Sequence, residues 1–156
     1  KELSGSVQGA ARDGAHRADA AAVLTTSADI FVPAALEEQI TGANVAGVKA
    51  SIILEIANGP TTPEADDALA ARGVAIIPDV LANAGGVTVS YFEWIQNRTG
   101  ERWGRADIEA KLQSTMRGAY REVADFARER GVTLRQAAYA LALTRIVDTM
   151  KARGRI

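Results

Sequence analysis

Short, continuously apolar segments separated by polar turns mark the first half of the chain. They span residues 29–33, 51–56 and 74–78. Because neighbouring positions in each segment are apolar, each predicts a strand that is covered on both faces, as in parallel sheets. Residues 63–72 predict a crossover helix, with Thr62 as its N-cap and Gly73 at its end. This order of strand, helix and strand predicts an α/β fold with a parallel sheet.

The second half of the chain has a helical spacing of apolar positions. They recur every three or four residues, at Ile108, Leu112, Met116, Tyr120, Val123 and Ala127. This spacing predicts a long helix that ends near Gly131. Residues 133–136 form a capping-box pattern and predict the start of a last helix, which ends near Gly154. Residues 18–24 predict one further short helix.

A sheet of three short strands leaves unpaired backbone groups at its edges. We therefore expect a further segment to cover these edges. Either residues 1–27, which are rich in glycine, alanine and serine, pair with the sheet, or another chain does.

Composition narrows the possible functions. The 156 residues suffice for one domain, and 47% hydrophobic with 24% charged residues is typical of a globular protein. A net charge of −1 gives no reason to expect binding to nucleic acid or to a membrane surface. No apolar run approaches the roughly 20 residues of a membrane span, so a cytoplasmic location is expected. The sequence has no cysteine, and His16 is its only histidine, so it cannot form a thiolate site or a metal site with several histidines. We therefore predict no metal site.

Candidate binding residues follow each predicted strand. Ala34 and Ala35 follow the first strand, Asn58 the second, and Asn83 the third. Ser90 is seven positions beyond Asn83, about two helical turns, so the two side chains can share a helix face. Ligands of open α/β sheets bind beyond the carboxyl ends of the strands, where these residues converge.

Each motif also has a purely structural interpretation. Pro33 followed by two alanines is a good helix start. Asn58–Gly59 is a common turn dipeptide. The pair Gly85–Gly86 permits either a helix N-terminus that faces an anion, or a kinked helix whose following aromatic residues belong to the core.

Three segments resemble the C-terminal part of the cofactor-binding domain of glutamate dehydrogenases. They are residues 29–35 (DIFVPAA), 57–65 (ANGPTTPEA) and 78–94 (PDVLANAGGVTVSYFEW). The resemblance covers residues 28–154, while residues 1–27 match the family poorly. It implies the second half of a Rossmann-like parallel sheet followed by C-terminal helices. The ending Ser-Tyr-Phe-Glu-Trp is closer to the glutamate enzymes than to the leucine, phenylalanine or valine dehydrogenases.

The resemblance implies a role for each candidate residue. Ala34 and Ala35 would line the nicotinamide-ribose site, Asn58 and Asn83 would contact the nicotinamide riboside, and Ser90 would bind the side-chain carboxylate of glutamate. The cofactor would be NAD or NADP, and the substrates L-glutamate and 2-oxoglutarate. Ile56 departs from the family, which usually has a small residue, typically glycine, at this position.

The sequence contains no G-x-G-x-x-G and none of the family's catalytic lysine or aspartate motifs, so no catalytic residue is assigned. We therefore expect an oxidoreductase by lineage that is inactive as an isolated chain. As partners, the resemblance implies a second copy in a homo-oligomer or a full-length dehydrogenase subunit. One alternative is a degenerate dehydrogenase module that acts in interaction or oligomerisation, and another is a small metabolite sensor.

Overall fold

Three parallel strands form the sheet in the computed structural model, which describes residues 19–156. The strands are β1 (Ile30–Phe31), β2 (Ile52–Leu54) and β3 (Ala75–Ile77). They lie side by side in chain order, and Ile53 of the central strand pairs with Phe31 on one side and Ile76 on the other. The predicted α/β fold with a parallel sheet is confirmed. The strands are shorter than the apolar segments that predicted them, since Pro33 and Pro78 follow two of them closely.

Six α-helices and one short 3-10 helix (Val45–Gly47) accompany the sheet in the described part of the chain, and the α-helices are numbered in chain order. They are α1 (Ala20–Leu24), α2 (Pro63–Ala71), α3 (Asp79–Ala82), α4 (Gly85–Thr99), α5 (Arg105–Arg130) and α6 (Leu134–Ala152). Gly131 ends α5 in a left-handed conformation with φ 66°, as its position after the last apolar residue predicts. Thr133 caps α6 by accepting from the Gln136 N–H, which confirms the predicted capping box.

Two apolar clusters lie against the sheet. The first joins Ile53 and Ile76 of the strands to α2 and to the segment between β1 and β2, through Ile40, Val45, Val48, Ala50, Ala65 and Leu69. The second joins Ile77 of β3 to α3, α5 and α6, through Leu81, Val123, Ala127, Ala137 and Ala138. Because Ile76 and Ile77 are consecutive in a strand, they point to opposite faces. The helices therefore cover both faces of the sheet.

The edge formed by β1 keeps an exposed side chain, since Ile30 is 54% exposed. Residues 1–27 were expected to cover the edges of the sheet. Of these, residues 1–18, which include His16, lie outside the described residues. Part of the helix predicted over residues 18–24 lies outside them too. Leu24 of α1 packs against the first apolar cluster. Among residues 19–156, no helix combines the length and the apolar character needed to cross a membrane.

Candidate functional site

Three loops meet at the carboxyl edge of the sheet. They follow β1 at Pro33–Ala35, β2 at Ile56–Asn58 and β3 at Pro78–Asn83, and the third contains the one-turn helix α3. The N–H groups of Ile56 and Ala57 both donate to the Pro33 carbonyl, at 3.0 and 2.9 Å. Residues 34–38 form an irregular loop, so the interpretation of Pro33 as a helix start is wrong. The parallel sheet thus brings the first and second candidate motifs into direct contact.

Two asparagine side chains join the second and third loops. The Asn83 Nδ2 donates to the Asn58 Oδ1 at 2.7 Å and to the Ile56 carbonyl at 3.2 Å. Within residues 19–156, the Asn58 Nδ2 and the Asn83 Oδ1 make no hydrogen bond of their own. The pair therefore offers one amide donor and one carbonyl acceptor to a ligand, which is the complement of a carboxamide group.

The asparagine pair lines a cavity of about 510 Å³. Its other lining residues are Ala35, Glu37, Ile56 and Ala57. Ala34 and Ala35 also line a neighbouring, more apolar cleft of about 570 Å³, together with side chains that include Leu24, Phe31 and Val32. Both volumes lie within the range of about 300–1,000 Å³ that small-molecule sites have. Since Ala35 borders both, the two clefts are adjacent.

The small side chains of Ala34 and Ala35 leave the loop backbone accessible at this point, because both residues are exposed. A planar ring could approach the chain closely there. Glu38, three residues further on, adopts a left-handed conformation with φ 51°, which is uncommon for a residue other than glycine. Its N–H donates to the Gly59 carbonyl at 2.8 Å. That bond holds the alanine loop against the Asn58–Gly59 turn, so Asn58 belongs both to a turn and to the cleft.

Ser90 lies apart from both clefts. Asn83 is the C-cap of α3, and α4 begins only at Gly85, so the spacing from Asn83 to Ser90 does not follow one helix. The Ser90 Oγ donates to the Gly86 carbonyl of its own helix at 3.2 Å. The Gly86 N–H donates to the Asn83 carbonyl at 3.3 Å, so it is not free to hold an anion.

The aromatic residues after the glycine pair divide between surface and core. Phe92 is buried and packs edge-on against Trp103, with ring centres 5.8 Å apart. Tyr91 and Trp94 are exposed and stack on each other, with ring centres 5.9 Å apart. The core interpretation therefore applies to Phe92 alone.

A largely buried ionic cluster adjoins the segments that carry the asparagine pair. The sequence motifs did not predict this cluster. Arg135, in the first turn of α6, contacts three carboxylates. Its Nη2 lies 2.8 Å from Glu55 Oε1 and 3.0 Å from Asp66 Oδ1, and its Nη1 lies 3.5 Å from Asp79 Oδ1. The Glu55 side chain is completely buried. The cluster thus joins the residue that follows β2 to α2, α3 and α6.

The carboxylates offset the cost of burying the charged Arg135 guanidinium. Burial by itself lowers the pKa of the guanidinium, but hydrogen bonds and charge interactions with Glu55 and Asp66 outweigh this effect, and the net pKa is raised above its ordinary value. No group of three acidic or histidine side chains within residues 19–156 is arranged to hold a metal ion. In the sequence, the only indication of the cluster is Glu55 itself, a charged residue inside an apolar strand segment, which requires a partner when buried.

Comparison with known proteins identifies the family. A family model described as Glutamate/Leucine/Phenylalanine/Valine dehydrogenase matches residues 1–154, which includes residues 1–27. An NAD-specific glutamate dehydrogenase of Clostridioides difficile is 44% identical over 90% of this chain and 34% of its own length. An NADP-specific glutamate dehydrogenase of Synechocystis is 47% identical over 86% of this chain and 31% of its own length.

A crystal structure of glutamate dehydrogenase from Peptoniphilus asaccharolyticus superposes with a TM-score of 0.76 at 47% identity. It covers 80% of this chain, which spans 32% of that structure. A hetero-hexameric glutamate dehydrogenase from Thermus thermophilus gives a TM-score of 0.82 at 30% identity, over 85% of this chain and 32% of that structure. The chain thus spans about a third of the length of the relatives that it matches. Its sequence and its fold both place it in the glutamate/leucine/phenylalanine/valine dehydrogenase family.

Proposed function

We propose that residues 28–154 form the nicotinamide-binding half of the cofactor domain of a glutamate dehydrogenase. The reaction is the reversible oxidation of L-glutamate to 2-oxoglutarate and ammonia, with hydride transfer to NAD or NADP. The relatives named above support a nicotinamide cofactor, and they include both NAD-specific and NADP-specific enzymes. When bound, the cofactor supplies the hydride acceptor, and the residues of this chain bind and orient it.

The observation that carries the proposal is the asparagine pair at the carboxyl edge of the sheet. Asn58 offers an amide donor and Asn83 a carbonyl acceptor beside the cavity that Ala35 also lines. A nicotinamide carboxamide or a ribose hydroxyl could bond to both. This edge is also where dinucleotides bind in doubly wound sheets. The fit therefore rests on donor chemistry and on position together.

Ala34 and Ala35 have a steric role in this proposal, since their methyl groups leave room for the ribose and the nicotinamide ring. Ser90 would bind the side-chain carboxylate of glutamate. Its hydroxyl now donates to the Gly86 carbonyl, and a rotation about the Cα–Cβ bond would release it to donate to a substrate.

The chemical step requires groups beyond those that line the cavity. Because the chain spans about a third of its relatives' length, we propose that the groups that accept and donate protons belong to other parts of the full-length enzymes. We expect the 156-residue chain alone to show no turnover with glutamate and either cofactor. Turnover at an ordinary dehydrogenase rate would contradict this.

A second candidate function is association with another copy of the chain or with a full-length dehydrogenase subunit. Exposed apolar side chains on β1 and α6 favour it, since Ile30, Leu143 and Ile146 are all more than half exposed. Sedimentation of the purified chain, alone and with a full-length glutamate dehydrogenase, tests this function. If the chain stays monomeric at high concentration and does not bind the added enzyme, this second function is excluded.

The experiment that tests the proposed function is a titration of the purified chain with NADH and then with NADPH, followed by fluorescence. We expect saturable binding of at least one cofactor. Asn83→Ala removes the donor that orders the pair, and loss of hydrogen bonds worth about 1.4 kcal/mol would weaken binding about tenfold. Asn97→Ala, on the exposed surface of α4, is the matched control and should not change the affinity. Equal effects of the two substitutions, or no binding at all, would refute the proposal.

A further inference from the structure

Asp79 links the two segments that carry the asparagine pair. Its Oδ2 accepts from the Gly59 N–H at 2.8 Å, next to Asn58 in the second loop. It is also the first residue of α3, the one-turn helix whose C-cap is Asn83. A single carboxylate therefore links the turn that carries Asn58 to the helix that ends at Asn83.

The position of Asp79 is fixed by several partners. Its backbone N–H donates to Glu55 Oε2 at 2.9 Å, and its Oδ1 accepts from the Val80 N–H at 2.7 Å. The same Oδ1 faces Arg135 Nη1 at 3.5 Å. Glu55 and Arg135 are in turn bonded to each other in the buried cluster. Asp79 is thus tied to the ionic cluster through its backbone N–H and its Oδ1, while its Oδ2 bonds the Asn58–Gly59 turn.

We propose that Asp79 is a positioning residue that sets Asn58 and Asn83 at hydrogen-bond distance from each other. Apart from the Asn83 side chain, Asp79 Oδ2 makes the hydrogen bond that ties the Asn58–Gly59 turn to α3. The other bonds of this segment reach the first loop, from the Glu38 N–H to the Gly59 carbonyl and from the Ile56 and Ala57 N–H groups to the Pro33 carbonyl. The inference rests on the proposed function only where it concerns the cofactor. The position of the asparagine pair is measurable without any ligand.

Asp66 offers a matched control within the same cluster. Its side chain is 17% exposed and that of Asp79 is 16% exposed, and both carboxylates face Arg135. Asp66, however, lies on α2, and the hydrogen bonds of its side chain go to Arg135. Asp66→Asn therefore perturbs the ionic cluster at least as strongly as a change at Asp79, since Asp66 lies closer to Arg135, but it leaves the link to Gly59 in place.

The test compares Asp79→Asn with Asp66→Asn in the 156-residue chain, by the NMR signals and exchange rates of the Asn58 and Asn83 side-chain amides. In Asp79→Asn, the side chain cannot accept from Gly59 and also present an oxygen to Arg135 and Val80. We expect the Asn83 amide signals to move towards those of an exposed asparagine, and their exchange with water to quicken about tenfold for a bond worth about 1.4 kcal/mol. In Asp66→Asn, we expect both amides to keep their wild-type signals.

A second readout separates this inference from the proposed function. If the side-chain amide signals shift in Asp79→Asn and the affinity for NADH falls as well, the positioning role and the proposed function are both supported. If the amides move although the wild-type chain binds neither NADH nor NADPH, Asp79 still positions the pair, and the cofactor proposal fails. Unchanged amides in folded Asp79→Asn, or equal changes in Asp66→Asn, would overturn the inference.

Asp79→Ser is the second variant, in case the asparagine substitution prevents folding. Serine is compatible with the first turn of a helix, but its shorter side chain does not reach the Gly59 N–H. The same change in the Asn83 amide is expected. If both Asp79 variants unfold while Asp66→Asn folds, Asp79 acts in folding alone, and the positioning role is refuted.

Discussion

Replacing Arg135 with methionine tests whether the buried cluster holds the domain together. Methionine keeps much of the length of the side chain but removes its charge and its hydrogen-bond donors. Glu55, whose side chain is completely buried, then loses its cation and keeps only the Asp79 N–H as a partner. Asp66 and Asp79 lose the same cation but retain some exposure to water. Most of the expected cost therefore comes from Glu55.

Removing one partner of a buried ion pair costs about 3–5 kcal/mol, because the other charge is left uncompensated. Domains have a free energy of unfolding of about 5–15 kcal/mol, so Arg135→Met should remove a large part of it. A change of 1 kcal/mol moves the melting temperature of a domain of this size by about 2–4 °C, which predicts a decrease of about 6–20 °C. Adding Glu55→Gln removes the unpaired charge and should restore part of this loss.

Urea denaturation followed by circular dichroism measures the free energy of unfolding of each variant. Arg145→Met is the matched control, since Arg145 lies on the same helix and pairs with Glu122 at the surface, where the two side chains are 62% and 47% exposed. The control should cost less than about 1 kcal/mol. If Arg135→Met cost no more than the control, or if adding Glu55→Gln deepened the loss, the structural role assigned to the cluster would be wrong.

Three further predictions concern two glycines of α5 and its C-terminal end, and one side chain of the cleft. Gly118 lies inside α5 with nothing within 4 Å of an added Cβ, so Gly118→Ala should stabilise the chain by about 0.5–1 kcal/mol. Gly131→Ala, at φ 66° at the end of the same helix, should destabilise it by about 1–2 kcal/mol, and urea denaturation in which both changes had the same sign would contradict this. The Ile56 side chain lines the asparagine cavity and is 39% exposed, so Ile56→Ala should enlarge the cavity and lower the dissociation constant of NADH in a fluorescence titration. A higher dissociation constant would show that Ile56 contributes an apolar contact to the ring.

The strands and long helices could be predicted from the sequence because their signals are local. Continuous apolar segments mark β2 and β3, and Gly131 with the Thr133 capping box fixes the boundary between α5 and α6. Local patterns are less certain for side-chain contacts. Thr62 is the N-cap of α2 as predicted, but its side chain makes no capping hydrogen bond.

The candidate site could be predicted in part. Ala35, Asn58 and Asn83 could be predicted to lie together because each follows a predicted strand, and the ends of parallel strands meet at one edge of the sheet. All three line the same cavity. The relation of Ser90 to Asn83 could not be predicted by helical spacing, because the chain leaves the helical path between α3 and α4. The bond from Arg135 to Glu55 joins residues 80 positions apart. Such a partner depends on how α6 packs on the sheet, which no local pattern contains.

Mapping the bound cofactor by NMR is the sharpest test of the proposal that Ala35, Asn58 and Asn83 form a nicotinamide site. The 156-residue chain, labelled with ¹⁵N, is titrated with NADH, and the shifts of backbone and side-chain amides are followed. We expect the largest shifts on Ala35, on the Asn58–Gly59 turn and on the Asn83 side chain, and we expect them to disappear in Asn83→Ala. Shifts confined to other surfaces, such as the exposed face of α6, would contradict the proposal.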